Sequence, residues 1–427
     1  MSSSSLWAED WPEWRGKGRF GIWNETGILE KFPPEGLKIS WKVPIQGGYS
    51  GPSVAQGRVF VSDFQENRPL QGVERLHCLD EETGEILWTH SWETSYARLS
   101  RTYATGPRAT PTVDSGLVYV VGATGVLKAL AAESGKLAWE KDFEKDFGTE
   151  IPTWGVTSSP LIEEDLLIAI VGGSANAEVV AFNKFSGKEV WRALSSEPEM
   201  GYAQPLVFEA GGVRQLIIWH PKMVSSLDPA TGKGYWEEPW EVPIGMTVAT
   251  PVRGGNYLFL SQFYGGSMML KLDPARPSTR VVWKRKGRSE RPEDTDSLHA
   301  LITTPVLQGN LIIGVCSYGQ LRGLDAATGD RLWESLDMIE LGRWASAFLV
   351  RNGNRYFVSN DLGDLIIARF DEEGYHEIDR THLIEPTTES SFSRRSGRVV
   401  NWSHPAYANG HIFARNDRTL IRASLQK

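Results

Sequence analysis

The chain has 427 residues, of which 41% are hydrophobic and 23% charged, a composition ordinary for a soluble globular protein. Its formal net charge of −8 argues against a nucleic-acid partner, because phosphate binding needs clustered lysine and arginine. No apolar run is long enough to cross a bilayer, so we also predict that the chain has no membrane span.

The first 37 residues carry no repeat but are rich in tryptophan. We interpret residues 1–37 as a leader that packs on a single domain formed by residues 38–427. The start of this leader, residues 1–8, reads equally as the tail of a trimmed signal peptide or as a short disordered segment. We expect its tryptophans to pack on the domain and not to form a recognition site; they are Trp7, Trp11, Trp14 and Trp23.

A nine-residue motif then recurs along the chain. It reads DEETGEILW at 80–88 and returns at 131–139, 183–191, 228–236 and 325–333, with degenerate copies that begin at Asp273 and Asp371. The tryptophans that end successive copies up to Trp333 are 51, 52, 45, 47 and 50 residues apart. A repeat of this length, with apolar strand-like runs between turns, predicts an array of small β-sheets.

Three positions of the motif have a clear physical role. The aspartate accepts main-chain N–H bonds within the turn, and the glycine supplies the left-handed backbone conformation. The tryptophan four residues later is placed to pack against the neighbouring repeat, which we call docking. The predicted docking residues are Trp41, Trp88, Trp139, Trp191, Trp236, Trp283 and Trp333.

The repeat predicts an all-β fold, an eight-bladed β-propeller with four antiparallel strands in each blade. Seven of the eight units begin with a proline followed by an apolar strand, and the last unit, 401–427, stops after its third strand. The segment 38–44 contains Trp41 and has no turn before it. We therefore predict that this segment supplies the missing fourth strand of the C-terminal blade and closes the ring, which removes exposed sheet edges.

The motif resembles the tryptophan-docking repeat of the quinoprotein propeller family, and the resemblance covers nearly the whole chain. That family includes pyrroloquinoline-quinone alcohol dehydrogenases and the propeller lipoprotein of the outer-membrane assembly machinery. The segments 10–16 and 106–111 are similar to a secreted bacterial subgroup of the family. The resemblance implies the fold and a periplasmic or secreted location, but no single activity, because one propeller hosts unrelated functions.

A dehydrogenase of this family would hold pyrroloquinoline quinone with calcium, beneath a disulfide between adjacent cysteines. Here Cys78 and Cys316 are far apart, and we interpret both as buried thiols. No acidic cluster has calcium-loop spacing, and no metal motif is present. The sequence therefore predicts neither catalytic nor metal-binding residues, while pyrroloquinoline quinone with calcium stays open as the cofactor of a divergent site.

The long connections between blades carry most of the aromatic and arginine side chains that a binding site would use. Functional residues favour such loops on a rigid scaffold, and arginine with aromatic rings suits an anionic or sugar-like ligand or a protein partner. The opposing interpretation is that the tryptophans plug the channel and the arginines are solvated or paired. The candidate binding residues are Tyr49, Arg98, Arg101, Arg108, Trp154, Tyr202, His299, Arg343, Trp344, Trp402 and His404.

From these features we expect a non-catalytic binding or scaffold propeller of the bacterial periplasm or cell envelope. It would use the loops on one face and the mouth of the channel to bind a ligand or a protein partner. The alternative from another class is a quinoprotein-like oxidoreductase with a divergent cofactor site. A third is an enzyme, for example one acting on carbohydrate, whose carboxylates the sequence does not distinguish.

Overall fold

The computed structural model describes residues 8–100, 105–195, 199–389 and 398–427. Their strands form eight four-stranded antiparallel sheets, which confirms the predicted eight-bladed propeller. Strand β1 (Ile39–Pro44) precedes the first complete blade. Within these described ranges, helical structure is limited to α1 (Phe143–Phe147) and the 3-10 turns Lys17–Arg19, Pro243–Gly245 and Pro292–Asp294. No helix in these ranges has the length and apolar character needed to span a bilayer.

The blades follow one another along the chain, and each runs from its inner to its outer strand. Blade 1 consists of β2 (Ser53–Ala55), β3 (Arg58–Arg68), β4 (Gln71–Asp80) and β5 (Ile86–Ser95), and blade 2 of β6 (Thr112–Asp114), β7 (Leu117–Val121), β8 (Val126–Ala131) and β9 (Leu137–Asp142). Blade 3 consists of β10 (Leu161–Glu163), β11 (Leu166–Gly173), β12 (Ala177–Asn183) and β13 (Glu189–Ala193), and blade 4 of β14 (Leu206–Ala210), β15 (Val213–His220), β16 (Met223–Leu227) and β17 (Gly234–Pro239). Blade 5 consists of β18 (Val252–Gly254), β19 (Tyr257–Gln262), β20 (Gly266–Leu272) and β21 (Thr279–Arg285), and blade 6 of β22 (Val306–Gln308), β23 (Leu311–Val315), β24 (Leu321–Asp325) and β25 (Arg331–Ser335). Blade 7 consists of β26 (Ala347–Asn352), β27 (Arg355–Asn360), β28 (Asp364–Phe370) and β29 (Tyr375–His382).

The eighth blade combines the two ends of the chain. Its inner three strands are β30 (Ala406–Ala408), β31 (His411–Arg415) and β32 (Thr419–Ser424), and β1 pairs antiparallel with β32 as the fourth. Trp41 lies opposite Arg422 in this pairing. The predicted closure of the ring by the N-terminal strand is therefore confirmed.

The blades are joined by the tryptophan of one blade and the turn of the next. The indole Nε1 of Trp139 donates to the main-chain oxygen of Lys184 at 2.9 Å, and the ring covers Gly187 of the same turn. A Cβ placed on Gly187 would lie 2.6 Å from Cδ2 of Trp139. The turn glycine is therefore needed twice, for its φ of 67° and for contact with the ring. The same N–H bond to the next turn is made by Trp41, Trp88, Trp191, Trp283 and Trp333.

Two departures from the repeat have structural causes. The turn of blade 5, at 273–278, has no glycine to receive a ring, and Trp236 donates instead to Oε1 of Gln215 in its own blade. Blade 7 carries Ile378 where the tryptophan is expected. The blade that follows it takes its fourth strand from β1, so it has no third-to-fourth-strand turn on which a tryptophan could dock.

The described part of the leader, residues 8–37, crosses one end of the ring. Trp11 forms a bridge with Val54 of blade 1, and Ile22 forms one with Arg351 of blade 7. Between them Arg19, which is 1% exposed, pairs with Glu13 at 2.9 Å. Its guanidinium also donates to three main-chain oxygens of blades 3 and 4, those of Ser159, Pro160 and Pro205. These contacts close the channel at this end; the domain boundary at residues 37 and 38 stays a prediction, and Trp7 lies outside the described residues.

Replacing Gly187 with alanine is expected to lower the free energy of unfolding by about 2–4 kcal/mol, because the new methyl group would strain the backbone and overlap the ring of Trp139. Gly57→Ala is the matched control: Gly57 has a φ of 71°, but nothing lies within 4 Å of its added Cβ. That change should cost only the backbone strain, about 1–2 kcal/mol. Urea unfolding followed by circular dichroism measures both, and equal losses would contradict the docking role of the turn.

Replacing Arg19 with methionine is expected to release the leader from the ring, because Glu13 and three carbonyl oxygens would lose their donor. The cost should be about 3–5 kcal/mol, typical of breaking a buried ion pair. Limited proteolysis of the folded protein should then cut within residues 8–37, where the wild type resists. Arg98→Met is the control, since this surface ion pair contributes less than about 1 kcal/mol. Equal protease resistance in both variants would argue against the anchoring role of Arg19.

Candidate functional site

A cavity of about 220 Å³ lies where the inner strands of the blades converge. All eight blades contribute to its lining, mainly through residues that directly precede an inner strand. The leader supplies its remaining wall with Trp11, Trp14 and Arg15. The leader crosses one end of the ring, so we describe the cavity as a cup with the leader at its closed end and the connections between blades around the opposite end.

Small residues allow the inner strands to converge. Eight positions, one just before or at the start of each inner strand, carry side chains no larger than threonine, and all are buried. Bulkier side chains would collide here. These residues are Ser50, Ala109, Ser158, Ala203, Ala249, Thr303, Ser346 and Ser403.

The structure brings seven of the eleven candidate binding residues to this cavity. Two aromatic pairs form part of its wall: Tyr49 stacks with Trp402, with centroids 6.1 Å apart, and Trp154 meets Tyr202 edge-on at 5.6 Å. The seven that line the cavity are Tyr49, Arg108, Trp154, Tyr202, Trp344, Trp402 and His404.

The other candidates lie elsewhere. Arg98 is largely exposed and pairs with Glu144 at 2.6 Å. His299 is fully buried, with Nδ1 2.8 Å from the main-chain oxygen of Phe263. Arg343 pairs with Glu290 at 3.0 Å and packs over the ring of Trp344, which does line the cavity. Arg101 lies outside the described residues.

Trp402 is held in place by a buried carboxylate. Asp361 receives N–H bonds from Arg398 at 2.7 Å and from the main chain of Ser346 at 3.1 Å, and its own main-chain oxygen accepts from Asn401. Burial raises the pKa of Asp361 to about 6, although the charge of Arg398 opposes this. The carboxylate thus anchors the connection that leads into β30.

The only charged side chains in the described lining are Arg15 and Arg108. Arg108 donates to the main-chain oxygen of Gly106 at 2.7 Å, and its guanidinium carbon lies 5.4 Å from the centre of the Tyr49 ring. His404 Nε2 lies 3.0 Å from Oγ1 of Thr110. Burial, and secondarily the charge of Arg15, lowers the pKa of His404 to about 3, so this imidazole is neutral at pH 7. The lining is therefore aromatic and positively charged.

Sequence reasoning missed the leader's part in the site. It assigned Trp11 and Trp14 to packing and did not select Arg15. Trp11 is 1% exposed and does pack on the ring, but Trp14 and Arg15 also line the cavity. The available signal was the run Trp14-Arg15-Gly16, which repeats the combination of aromatic ring and arginine found in the connections between blades.

The described residues do not fit pyrroloquinoline quinone with calcium. Cys78 lies in β4 of blade 1 and Cys316 directly after β23 of blade 6, and both are buried, so they cannot form a disulfide over a cofactor. No acidic side chain is among the described residues of the lining, although calcium requires oxygen ligands, mainly carboxylates. Within the ranges that the structure describes, no group of three or more histidine, cysteine, aspartate or glutamate side chains is placed to hold a metal ion.

Two solved structures of other proteins show the same fold. BamB from Moraxella catarrhalis superposes with a TM-score of 0.60 at 16% identity, covering 91% of this chain and 99% of that one. Quinohemoprotein alcohol dehydrogenase from Comamonas testosteroni gives a TM-score of 0.61 at 12% identity, covering 98% of this chain and 80% of that one. At these identities the likeness concerns the fold alone.

The amino-acid sequence is similar to several BamB proteins. The outer membrane protein assembly factor BamB of Shewanella oneidensis is 22% identical over 375 residues, which cover 83% of this chain and 81% of that protein. BamB of Xanthomonas campestris pv. campestris is 27% identical over 279 residues, or 53% of this chain and 64% of that protein. Residues 72–335 match the family model described as outer membrane protein assembly factor BamB. This match spans more than half of the chain, and the protein therefore belongs to the BamB family of quinoprotein-like propellers.

Proposed function

We propose that this chain is a non-catalytic binding propeller of the bacterial periplasm or cell envelope. Its binding site is the cup-shaped cavity together with the connections that surround the open end. The observation that carries this proposal is the cavity itself: all eight blades and the leader build one aromatic cavity at the centre of the ring.

The chemistry of the lining favours binding over proton transfer. General acid–base catalysis needs a group that changes protonation near the working pH. The described lining has one imidazole, His404, which burial keeps neutral, and no carboxylate. Aromatic rings held by packing, such as Tyr49 against Trp402, instead give a rigid surface that binds at low entropic cost.

The relatives support a protein partner and a location in the envelope. BamB of Shewanella oneidensis is named an outer membrane protein assembly factor, and the match to it extends over most of both chains. An assembly factor acts by contact with other proteins. We extend this class of role to the present chain, with the open end of the cavity as the contact surface.

A photo-crosslinking amino acid at Ile302, which lines the cavity and is partly exposed, is expected to capture one discrete partner from an envelope extract of the source bacterium. The same amino acid at Leu87, on the outer strand β5 and 45% exposed, is the control and should give no such adduct. Excess unmodified protein should suppress the adduct, and Trp402→Ala should weaken it. Identical adducts from both positions, or none from Ile302, would count against the cavity mouth as the binding surface.

The alternative function, a quinone-dependent oxidoreductase, predicts that the protein binds the cofactor and turns over substrate, whereas the non-catalytic proposal predicts neither. Purified protein incubated with pyrroloquinoline quinone and calcium is expected to show no saturable binding by absorbance and no alcohol-dependent dye reduction, because the lining offers no carboxylate for the ion. A quinohemoprotein alcohol dehydrogenase loaded in parallel controls for the assay. Stoichiometric binding with turnover would overturn the non-catalytic proposal.

A further inference from the structure

Arg15 occupies an unusual position at the closed end of the cavity. It is 8% exposed and lines the cavity, and its guanidinium carbon lies 5.5 Å from the centre of the Trp14 ring. Gly21 leaves room for it, since a Cβ on Gly21 would lie 2.4 Å from Nη2 of Arg15. The backbone at Arg15 has a φ of 59°, a left-handed conformation that strains an L-residue. The fold therefore keeps a large charged residue where a small flexible one would be less strained.

The guanidinium of Arg15 has no hydrogen-bond acceptor or carboxylate among the described residues. The nearby carboxylate in sequence, Glu13, is already engaged by Arg19 and by the main-chain N–H of Gly18. The other charge in the described lining, Arg108, is also positive. Burial lowers the pKa of Arg15 to about 10, so the side chain still carries its charge at pH 7.

Four other arginines in the described ranges are buried, and each has its charge or its donors satisfied. Arg19 pairs with Glu13, Arg322 with Glu334 and Arg422 with Glu82, at 2.7–2.9 Å. Arg415 donates to two main-chain oxygens at 2.6 Å. Since an uncompensated buried charge is strongly unfavourable, buried charges are normally paired. Arg15 is the exception, and it is the buried arginine that faces the cavity.

We infer that Arg15 is an anion-binding residue, and that the cavity takes a small ligand with one carboxylate and an aromatic or other apolar body. The carboxylate would accept two hydrogen bonds from the guanidinium at the closed end. The body would lie among aromatic rings such as Trp154 and Trp402, toward the open end. This inference rests on the proposed function, because it assigns a ligand class to the same cavity.

Size and charge agree with that ligand class. The cavity volume of about 220 Å³ exceeds the roughly 150 Å³ of an engineered cavity that accommodates benzene. One carboxylate neutralises the one charge at the closed end. The second arginine, Arg108, is already occupied by Gly106 and the Tyr49 ring, so it does not call for a second anionic group.

The test compares matched probes by isothermal titration calorimetry with the full chain. Benzoate and 2-naphthoate carry the carboxylate, while benzamide and 2-naphthamide are their neutral counterparts. At least one of the two carboxylates is expected to bind about tenfold or more tightly than its amide, because it alone pairs with the buried guanidinium. Arg15→Gln should abolish this preference, Arg15→Lys should retain part of it, and Arg98→Gln, a surface control, should leave it unchanged.

Each outcome of this experiment decides the inference separately from the proposed function. Equal binding of carboxylates and amides, an unchanged preference in Arg15→Gln, or no binding of any probe would overturn the anion site. The crosslinking from Ile302 tests the binding role itself and does not depend on these probes. The preference of the wild-type chain is measured without any substitution, so the test holds even if Arg15→Gln fails to fold.

Discussion

The contact on which the whole structure depends is the packing of a tryptophan from one blade on the glycine turn of the next. It combines an indole N–H bond to a turn carbonyl with a ring face pressed against a residue that has no side chain, as in Trp139 on Gly187. Because such contacts are made by most blades, the ring is held by repeated local interfaces. The same contact explains why blade 7 has Ile378 in place of the tryptophan: the next blade has no turn on which a ring could dock.

The ring geometry also determines which side chains line the centre of the molecule. The segment leading into each inner strand approaches the axis, and small residues such as Ala109 and Ser158 let the strands converge while aromatic neighbours fill the space above them. The cavity is thus a consequence of eightfold repetition. Its chemistry is only partly repeated: three blades contribute a tryptophan to the wall, at Trp154, Trp344 and Trp402, whereas blade 2 contributes Arg108.

The leader makes the propeller asymmetric along its axis. It closes one end of the channel through Arg19, whose charge is compensated by Glu13. It also places Arg15 in the wall of the cavity, and no carboxylate compensates the charge of Arg15 among the described residues. Two arginines four residues apart therefore have different roles: one fixes the leader to the ring, and the other faces the space that the leader closes. Because the leader occupies one end of the cavity, we expect a ligand to enter from the other end, between the connections that join the blades.

The spacing of the tryptophans predicted an array, the eight recurring strand units predicted the number of blades, and the unfinished last unit predicted that the segment with Trp41 would close the ring. The array is read from local patterns, because docking joins neighbouring repeats, whereas the closure pairs Trp41 with Arg422 near the other end of the chain. The same reasoning placed seven candidate residues in the cavity wall but also selected His299 and Arg98, which lie in a buried hydrogen bond and a surface ion pair. It overlooked Arg15 because the absence of a counter-charge depends on which carboxylates fold near it, and those come from every part of the chain. Local turn and docking chemistry can be read along the sequence, whereas the pairing or isolation of a buried charge depends on contacts that only the closed ring creates.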